Sequence, residues 1–67
     1  MNTAQMSKIT ELLMLEKADD PFQVTRDLKV AVGRPGSSIK DIIDTLVWHN
    51  VRESPRVAND VASILMG

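Results

Sequence analysis

The sequence predicts a single all-α domain of four helices, and three observations lead to that prediction. Apolar residues recur at intervals of three and four along four segments of the chain. A capping side chain precedes proline at Asp20-Pro21 and at Ser54-Pro55, which marks two helix starts. The chain has 67 residues and no cysteine, so it forms one domain at most and holds no disulfide. We therefore expect residues 1–67 to form one small helical domain.

The first two helices are predicted from apolar spacing and a capping signal. Helix one is expected from Thr3 to about Lys17. Asp19 and Asp20 then provide a cap before Pro21, which predicts a second helix from about Pro21 to Val32. The apolar residues of helix one are Met6, Ile9, Leu12, Leu13 and Leu15, and the inward face of helix two is expected to contain Val24, Leu28, Ala31 and Val32.

A turn separates the second helix from a third. Gly33 stands where a helix ends in a left-handed residue, Pro35 prevents continuation, and two serines can cap the third helix. That helix is predicted from about Ser38 to His49 and has the clearest amphipathic pattern in the chain. Its predicted core face consists of Ile39, Ile42, Ile43, Leu46 and Val47.

Trp48 lies outside that apolar face of the third helix. An exposed tryptophan beside an amphipathic segment predicts an anchor for a protein interface. The alternative is that Trp48 covers the core beneath the C-terminal segment. His49 is expected to end the helix and to interact with its dipole rather than to bind a metal or take part in catalysis.

Residues 52–67 allow two structures. The serine and proline at Ser54-Pro55, together with an apolar stripe after them, predict a fourth helix over residues 54–66. The competing interpretation is a short β-hairpin wing that turns at Ala58-Asn59-Asp60, but Pro55 is poorly placed in a paired strand, so helix is favoured. The stripe consists of Val57, Val61, Ile64 and Leu65, and no internal repeat is evident.

Charge is unevenly distributed along the chain. The net charge is −1, which argues against a surface that binds polyanions everywhere. Residues 25–40 nevertheless carry a net charge of +3, while the segments before and after carry −2 each. The cations of this basic window are Arg26, Lys29, Arg34 and Lys40, and the window includes the predicted turn.

From Lys8 to Val51 the chain resembles the three-helix core of the winged helix-turn-helix family of transcription regulators. In that resemblance ITELLMLE is the scaffold helix, PFQVTRDLKVAVG the positioning helix, GRPGSS the turn and SIKDIIDTLVWHNV the recognition helix. The resemblance implies a regulator that binds double-stranded DNA as a dimer. The implied nucleic-acid-binding residues are Arg26, Lys29, Arg34, Ser37, Ser38 and Lys40.

A second hypothesis treats the protein as a helical protein-interaction module, either an adaptor or an inhibitor. Here the chain docks on a partner through Trp48 and the apolar stripe of the last helix, with Val57, Val61, Ile64 and Leu65 at the interface. A chain this short has marginal stability alone, so a homodimer or another bound protein is expected in either case.

Several classes of function are not expected. No glycine-rich phosphate loop, no cluster with metal-ligand spacing and no nucleophile beside a base is present, so we expect no enzymatic activity, cofactor, metal or small-molecule substrate. No apolar run approaches the roughly 18 residues that a membrane span needs. The N-terminus does not resemble a signal peptide, and we expect a cytoplasmic protein.

Overall fold

A computed structural model describes all 67 residues and contains four α-helices and no strand. The helices are α1 (Thr3–Leu15), α2 (Pro21–Gly33), α3 (Ile39–Trp48) and α4 (Ser54–Met66). The predicted all-α fold with a fourth helix is confirmed, and the alternative of a β-hairpin wing is wrong. Pro55 explains the outcome, because it lies in the first turn of α4, where a missing N–H leaves no hydrogen bond unmade.

Capping side chains stabilise the starts of α2 and α3, but not that of α4. Ser54, which was predicted to cap α4, is instead its first residue, and its hydroxyl donates to the Val51 carbonyl at 2.7 Å. The Asp20 carboxylate accepts the Gln23 N–H at 3.2 Å, so the predicted cap before Pro21 is confirmed. At the start of α3, the Asp41 carboxylate accepts the Ser38 N–H at 2.7 Å. A carboxylate in the first turn also interacts favourably with the helix dipole. Asp41 therefore stabilises the N-terminus of α3.

The turn between α2 and α3 differs in one detail from its prediction. Gly33 is the last residue of α2 and does not adopt the left-handed conformation. The left-handed residue is Gly36, with φ of +77°. Arg34 leaves the helix in an extended conformation, so the chain passes through Pro35 before it reverses.

Each helix packs against two others, and the four form a closed ring. α1 contacts α2 and α4, and α3 contacts the same two helices. The diagonal pairs, α1 with α3 and α2 with α4, have no close backbone contact. The molecule is therefore two helical hairpins, α1–α2 and α3–α4, packed against each other around one core.

The core is formed by the inward faces of all four helices. Its largest fully buried side chains include Ile9, Leu13, Leu28 and Leu46. The remaining buried members of the cluster are Val24, Ile42, Val51, Val57, Ala58 and Val61. Thr25 is also buried, and its hydroxyl lies 2.8 Å from both the Thr10 hydroxyl and the Pro21 carbonyl, which satisfies it.

The two hairpins correspond to each other at a separation of 33 residues. The buried residues Ile9, Leu13, Val24, Thr25 and Leu28 of the first hairpin correspond to Ile42, Leu46, Val57, Ala58 and Val61 of the second. α1 and α3 also end alike, because Lys17 and Asn50 both adopt the left-handed conformation. When the two hairpins are exchanged, the α1–α2 contact takes the place of α3–α4, and α2–α3 takes the place of α1–α4. This correspondence indicates an approximate internal two-fold axis.

The repeat is not evident in the sequence alone, because only four of the equivalent pairs are identical. They are Ile9/Ile42, Leu13/Leu46, Val24/Val57 and Asp27/Asp60. Three of these four pairs lie in the core. The two halves of this chain therefore share mainly a packing pattern.

The apolar face of α3 is narrower than predicted. Ile42 and Leu46 are buried and Ile43 is partly buried, but Ile39 and Val47 are 44% and 57% exposed. Ile39 is the first residue of the helix and Val47 is next to its last, so both lie near the ends of a short element. Burial of these two residues was predicted wrongly.

Candidate interaction surfaces

Three of the predicted nucleic-acid-binding residues meet in one groove between α1 and α2. Arg26, Lys29 and Arg34 line it, because they lie along one side of α2 and in the turn after it. None of the three takes part in an ion pair. The other lining residues are Met6, Val30, Gly33 and Pro35, so the groove contains no carboxylate.

The other three predicted residues lie elsewhere. The Ser37 hydroxyl donates to the Val32 carbonyl at 3.1 Å, and the Ser38 N–H donates to Asp41 at the start of α3. Lys40 is exposed on α3 and does not line the groove. The six predicted residues thus divide into three in the basic groove on α2, two serines in the capped turn beside it, and Lys40 on α3.

A second groove separates α2 from α3, and Trp48 stands at its edge. Its lining residues are Asp27, Val30, Ala31, Arg34, Asp44, Thr45 and Trp48. Trp48 is 81% exposed, which confirms its predicted exposure and contradicts the alternative that it covers the core. Val30, which lines the same groove on α2, is 59% exposed. The outward surface near Trp48 is therefore apolar as well as charged.

The predicted contribution of α4 to a partner interface needs correction. Val57 and Val61 are fully buried in the core, so they are not accessible to a partner. Ile64 and Leu65 are partly buried and pack against the same core. The reason is that α1 and α3 already cover the apolar stripe of α4.

His49 joins α2 to α3 through a side-chain contact that no sequence pattern predicted. It comes directly after the last residue of α3, as expected, and its Nε2 lies 2.6 Å from an Asp27 carboxylate oxygen. Gln23 donates to the other carboxylate oxygen at 3.1 Å. Asp27 and His49 are 22 residues apart, so no local spacing connects them.

The second hairpin has an equivalent link with different side chains. Arg56 of α4 bonds Glu16, which comes directly after α1, at 2.7 Å, and also contacts Asp60 at 3.4 Å. Glu16 corresponds to His49, and Arg56 and Asp60 correspond to Gln23 and Asp27. Glu16 and, less strongly, Glu53 raise the pKa of the Arg56 guanidinium. Polar side chains at a helix end thus link α2 to α3, and others at the equivalent place link α4 to α1.

The hydrogen bond from His49 lowers the pKa of Asp27 below its usual 3.8, and Gln23 contributes less. A lowered folded-state pKa stabilises the fold above the unfolded-state value, and this contribution is lost as the pH falls through the folded-state value. We expect an NMR titration of the Asp27 carboxyl to give a midpoint below 3.8. His49→Phe should return the midpoint toward 3.8, while His49→Gln, which keeps a donor, should return it less. A midpoint unchanged by His49→Phe would contradict the assignment.

No group of three or more His, Cys, Asp or Glu side chains is arranged to hold a metal ion. None of the four helices combines the length and apolar character needed to cross a membrane.

No family model matches the sequence, and neither the curated proteins nor the solved structures contain a significant match. The binding properties of the chain therefore have to be inferred from its own surface.

Proposed function

We propose that this protein is a small helical protein-interaction module that works as a homodimer joined through the face around Trp48. The observation that supports this most is the 81% exposure of Trp48, with Val30, which is 59% exposed, lining the same groove from α2. Exposed apolar surface on a small domain is typical of an interaction site, and tryptophan is among the commonest anchors. The lack of cysteine suits a reducing compartment, and we expect the module to act in the cytoplasm.

A second copy of the chain is the partner that this face fits. The α2 side of the groove carries the cation Arg34 and also Asp27, which is bonded to His49, and the α3 side carries the anion Asp44. In a two-fold interface the same patch meets itself, so Arg34 of one copy can face Asp44 of the other. Burying Trp48 would remove roughly 150–250 Å² of aromatic surface from water in each copy. A dimer would also support a chain too short for high stability.

DNA reading through α3 is less well supported than a protein interface. The exposed residues of α3 include Ile39, Lys40, Asp44, Val47 and Trp48, which provide one cation, one anion and three large apolar groups. A recognition helix needs donors and acceptors for base edges, and an aspartate near the phosphates opposes binding. Only the grouping of Arg26, Lys29 and Arg34 favours nucleic acid.

The test is sedimentation across a range of protein concentrations. We expect a monomer–dimer equilibrium in which Trp48→Ala weakens association by at least about tenfold, as for a central interface anchor. Leu15→Ala is the matched control, because Leu15 is 76% exposed and occupies the equivalent position in the first hairpin. Both variants should retain the far-UV circular dichroism of the native protein, since both side chains are mostly outside the core.

Two results would contradict the proposal. One is a monomer at every concentration up to the millimolar range. The other is tight binding of random-sequence duplex DNA that weakens steeply between low and moderate salt, since such binding needs several phosphate contacts. That second result would favour the nucleic-acid function instead.

A further inference from the structure

We infer that the groove between α1 and α2 is a second binding site, and that it takes an amphipathic α-helix with acidic residues at one end. This inference goes beyond self-association, because it concerns a different partner and the groove that α2 forms with α1, although Val30 and Arg34 line both grooves. It depends on three features of the groove: its charge, its exposed apolar surface and its length.

The first feature is a cluster of cations without counter-ions. Arg26, Lys29 and Arg34 line one end of the groove, and no carboxylate lines that end. Such a cluster is unexpected in a protein with a net charge of −1, because acidic residues are available elsewhere to pair with it. Arg34 also lines the proposed dimer face, so Arg26 and Lys29 are the cations for which carboxylates on a ligand would supply counter-charges.

The second feature is an apolar surface that continues from the cations along α1. Met6 lines the basic end and also the adjoining depression, where Met14 and Phe22 stand 49% and 63% exposed. Methionine side chains are flexible and adapt to different apolar ligands. The other lining residues are Thr3, Ser7, Thr10 and Glu11, so it is Met6, Met14 and Phe22 that would contact the apolar side chains of a bound helix.

The third feature is length. The two depressions share Met6, and together their α2 residues span the twelve positions from Phe22 to Gly33, or about 16 Å at the rise of an α-helix. That length accommodates about three turns of a bound helix, enough for anchors at spacings of three, four and seven residues. Glu11 lines the apolar end and fixes the orientation, because acidic residues of the ligand would be repelled there.

The equivalent face of the second hairpin lacks this combination. The residues that correspond to Phe22, Arg26 and Lys29 are Pro55, Asn59 and Ala62. The internal two-fold therefore preserves the core but not the groove. This difference is expected of a surface specialised for a ligand, since packing alone requires neither the cations nor the phenylalanine.

Nucleic acid fits the groove less well than a helix does. A phosphodiester backbone would satisfy Arg26 and Lys29, but its charged, polar surface offers little apolar area for Met14 and Phe22 to bury. Glu11 would also repel it. An acidic amphipathic helix satisfies both ends at once.

The probe is a synthetic helical peptide of about 14 residues, labelled with fluorescein, with leucines three and four residues apart and glutamates in its last turn. The negative end of its dipole then also faces the cations. A second peptide carries lysines in place of the glutamates. We expect binding by fluorescence anisotropy for the acidic peptide, and binding at least about tenfold weaker for the lysine peptide.

The protein variants change residues that line only this groove. Lys29→Glu and Phe22→Ser should each weaken binding of the acidic peptide by at least about threefold. Lys8→Glu and Leu15→Ser are the matched controls, because both residues are exposed and line neither groove. Val30 and Arg34 line both grooves and stay unchanged. Circular dichroism should show that all four variants are folded.

The same titration in the Trp48→Ala protein separates this inference from the proposed dimer. Loss of dimerisation with retained peptide binding supports both, and peptide binding to a chain that never dimerises supports the groove alone. Absence of binding, or equal affinity for the two peptides, overturns the inference. If the native protein binds duplex DNA and Lys29→Glu abolishes that binding, the inference of a helix-binding groove is overturned in favour of nucleic acid.

Discussion

Leu46→Ala is expected to lower the free energy of unfolding by about 3–5 kcal/mol, the range for a large-to-small change at a fully enclosed leucine. Leu46 has no exposed surface and belongs to the cluster that joins α3 to the other helices. Its carbonyl also accepts the Val51 N–H at 3.0 Å, which closes the end of α3 over the buried Val51. A domain of this size has a total stability of about 3–10 kcal/mol, so the variant should lose roughly a third or more of it.

Val47→Ala is the matched control for that prediction. Val47 is the next residue in the chain, but it is 57% exposed, so its truncation should change the free energy of unfolding by less than about 0.5 kcal/mol. The measurement is urea unfolding monitored by circular dichroism, at concentrations where the chain is monomeric. Equal losses for the two variants would show that the buried face of α3 is as wide as its sequence pattern.

The contrast between these neighbours shows what the sequence of α3 can and cannot predict. Periodicity identified the helix and placed Ile42 and Leu46 correctly in the core. It also assigned Ile39 and Val47 to the core. Spacing along the sequence shows only on which face of the helix a side chain lies, and not whether another helix covers that face. Whether a residue is covered depends on where the neighbouring helices end, and that is a property of the packed structure.

Helix boundaries were predicted better, because their signals are local. The Asp20 cap and the prolines at positions 21 and 55 mark helix starts within a few residues of chain. The left-handed Lys17 and Glu53 carry no comparable signal, since neither is glycine or asparagine, the residue types that favour this conformation after a helix. Local chemistry therefore predicted the elements, while the conformation at these two positions could be read only from the structure.

The residues of the candidate surfaces also separate into those that the local sequence grouped correctly and those that it did not. Arg26, Lys29 and Arg34 were predicted to act together, and they do share a groove, because they occur on one helix and the turn after it. Ser37, Ser38 and Lys40 come after the change of chain direction and lie outside that groove. The contact between His49 and Asp27 joins distant segments, so no spacing in the sequence could have indicated it.

The internal two-fold separates residues that the fold requires from residues that are free to differ. Core positions match between the hairpins, as with Leu13 and Leu46. The links at the helix ends keep their location but change chemistry, from Glu16 with Arg56 to His49 with Asp27. A repeat built in this way can keep its packing while only one half acquires a basic groove.

Val61→Asp tests whether the apolar stripe of α4 is core or interface, and it is expected to abolish cooperative folding. Val61 is fully buried, so the aspartate would place an unpaired carboxylate among aliphatic side chains. The cost of burying such a group without a partner is several kcal/mol, comparable to the whole stability of a chain this short. The far-UV circular dichroism and the amide proton dispersion in NMR spectra should both collapse toward unfolded values.

Ser63→Asp provides the control for Val61→Asp, because Ser63 is exposed on the same helix and receives the same charge. It should remain folded, with a change in the free energy of unfolding within about 0.5 kcal/mol. A folded Val61→Asp protein that had lost only its self-association would instead place Val61 at an interface, as the sequence pattern first suggested. The two outcomes differ because an aspartate at a core position unfolds the isolated chain, whereas an aspartate at an interface position only prevents association with a second chain.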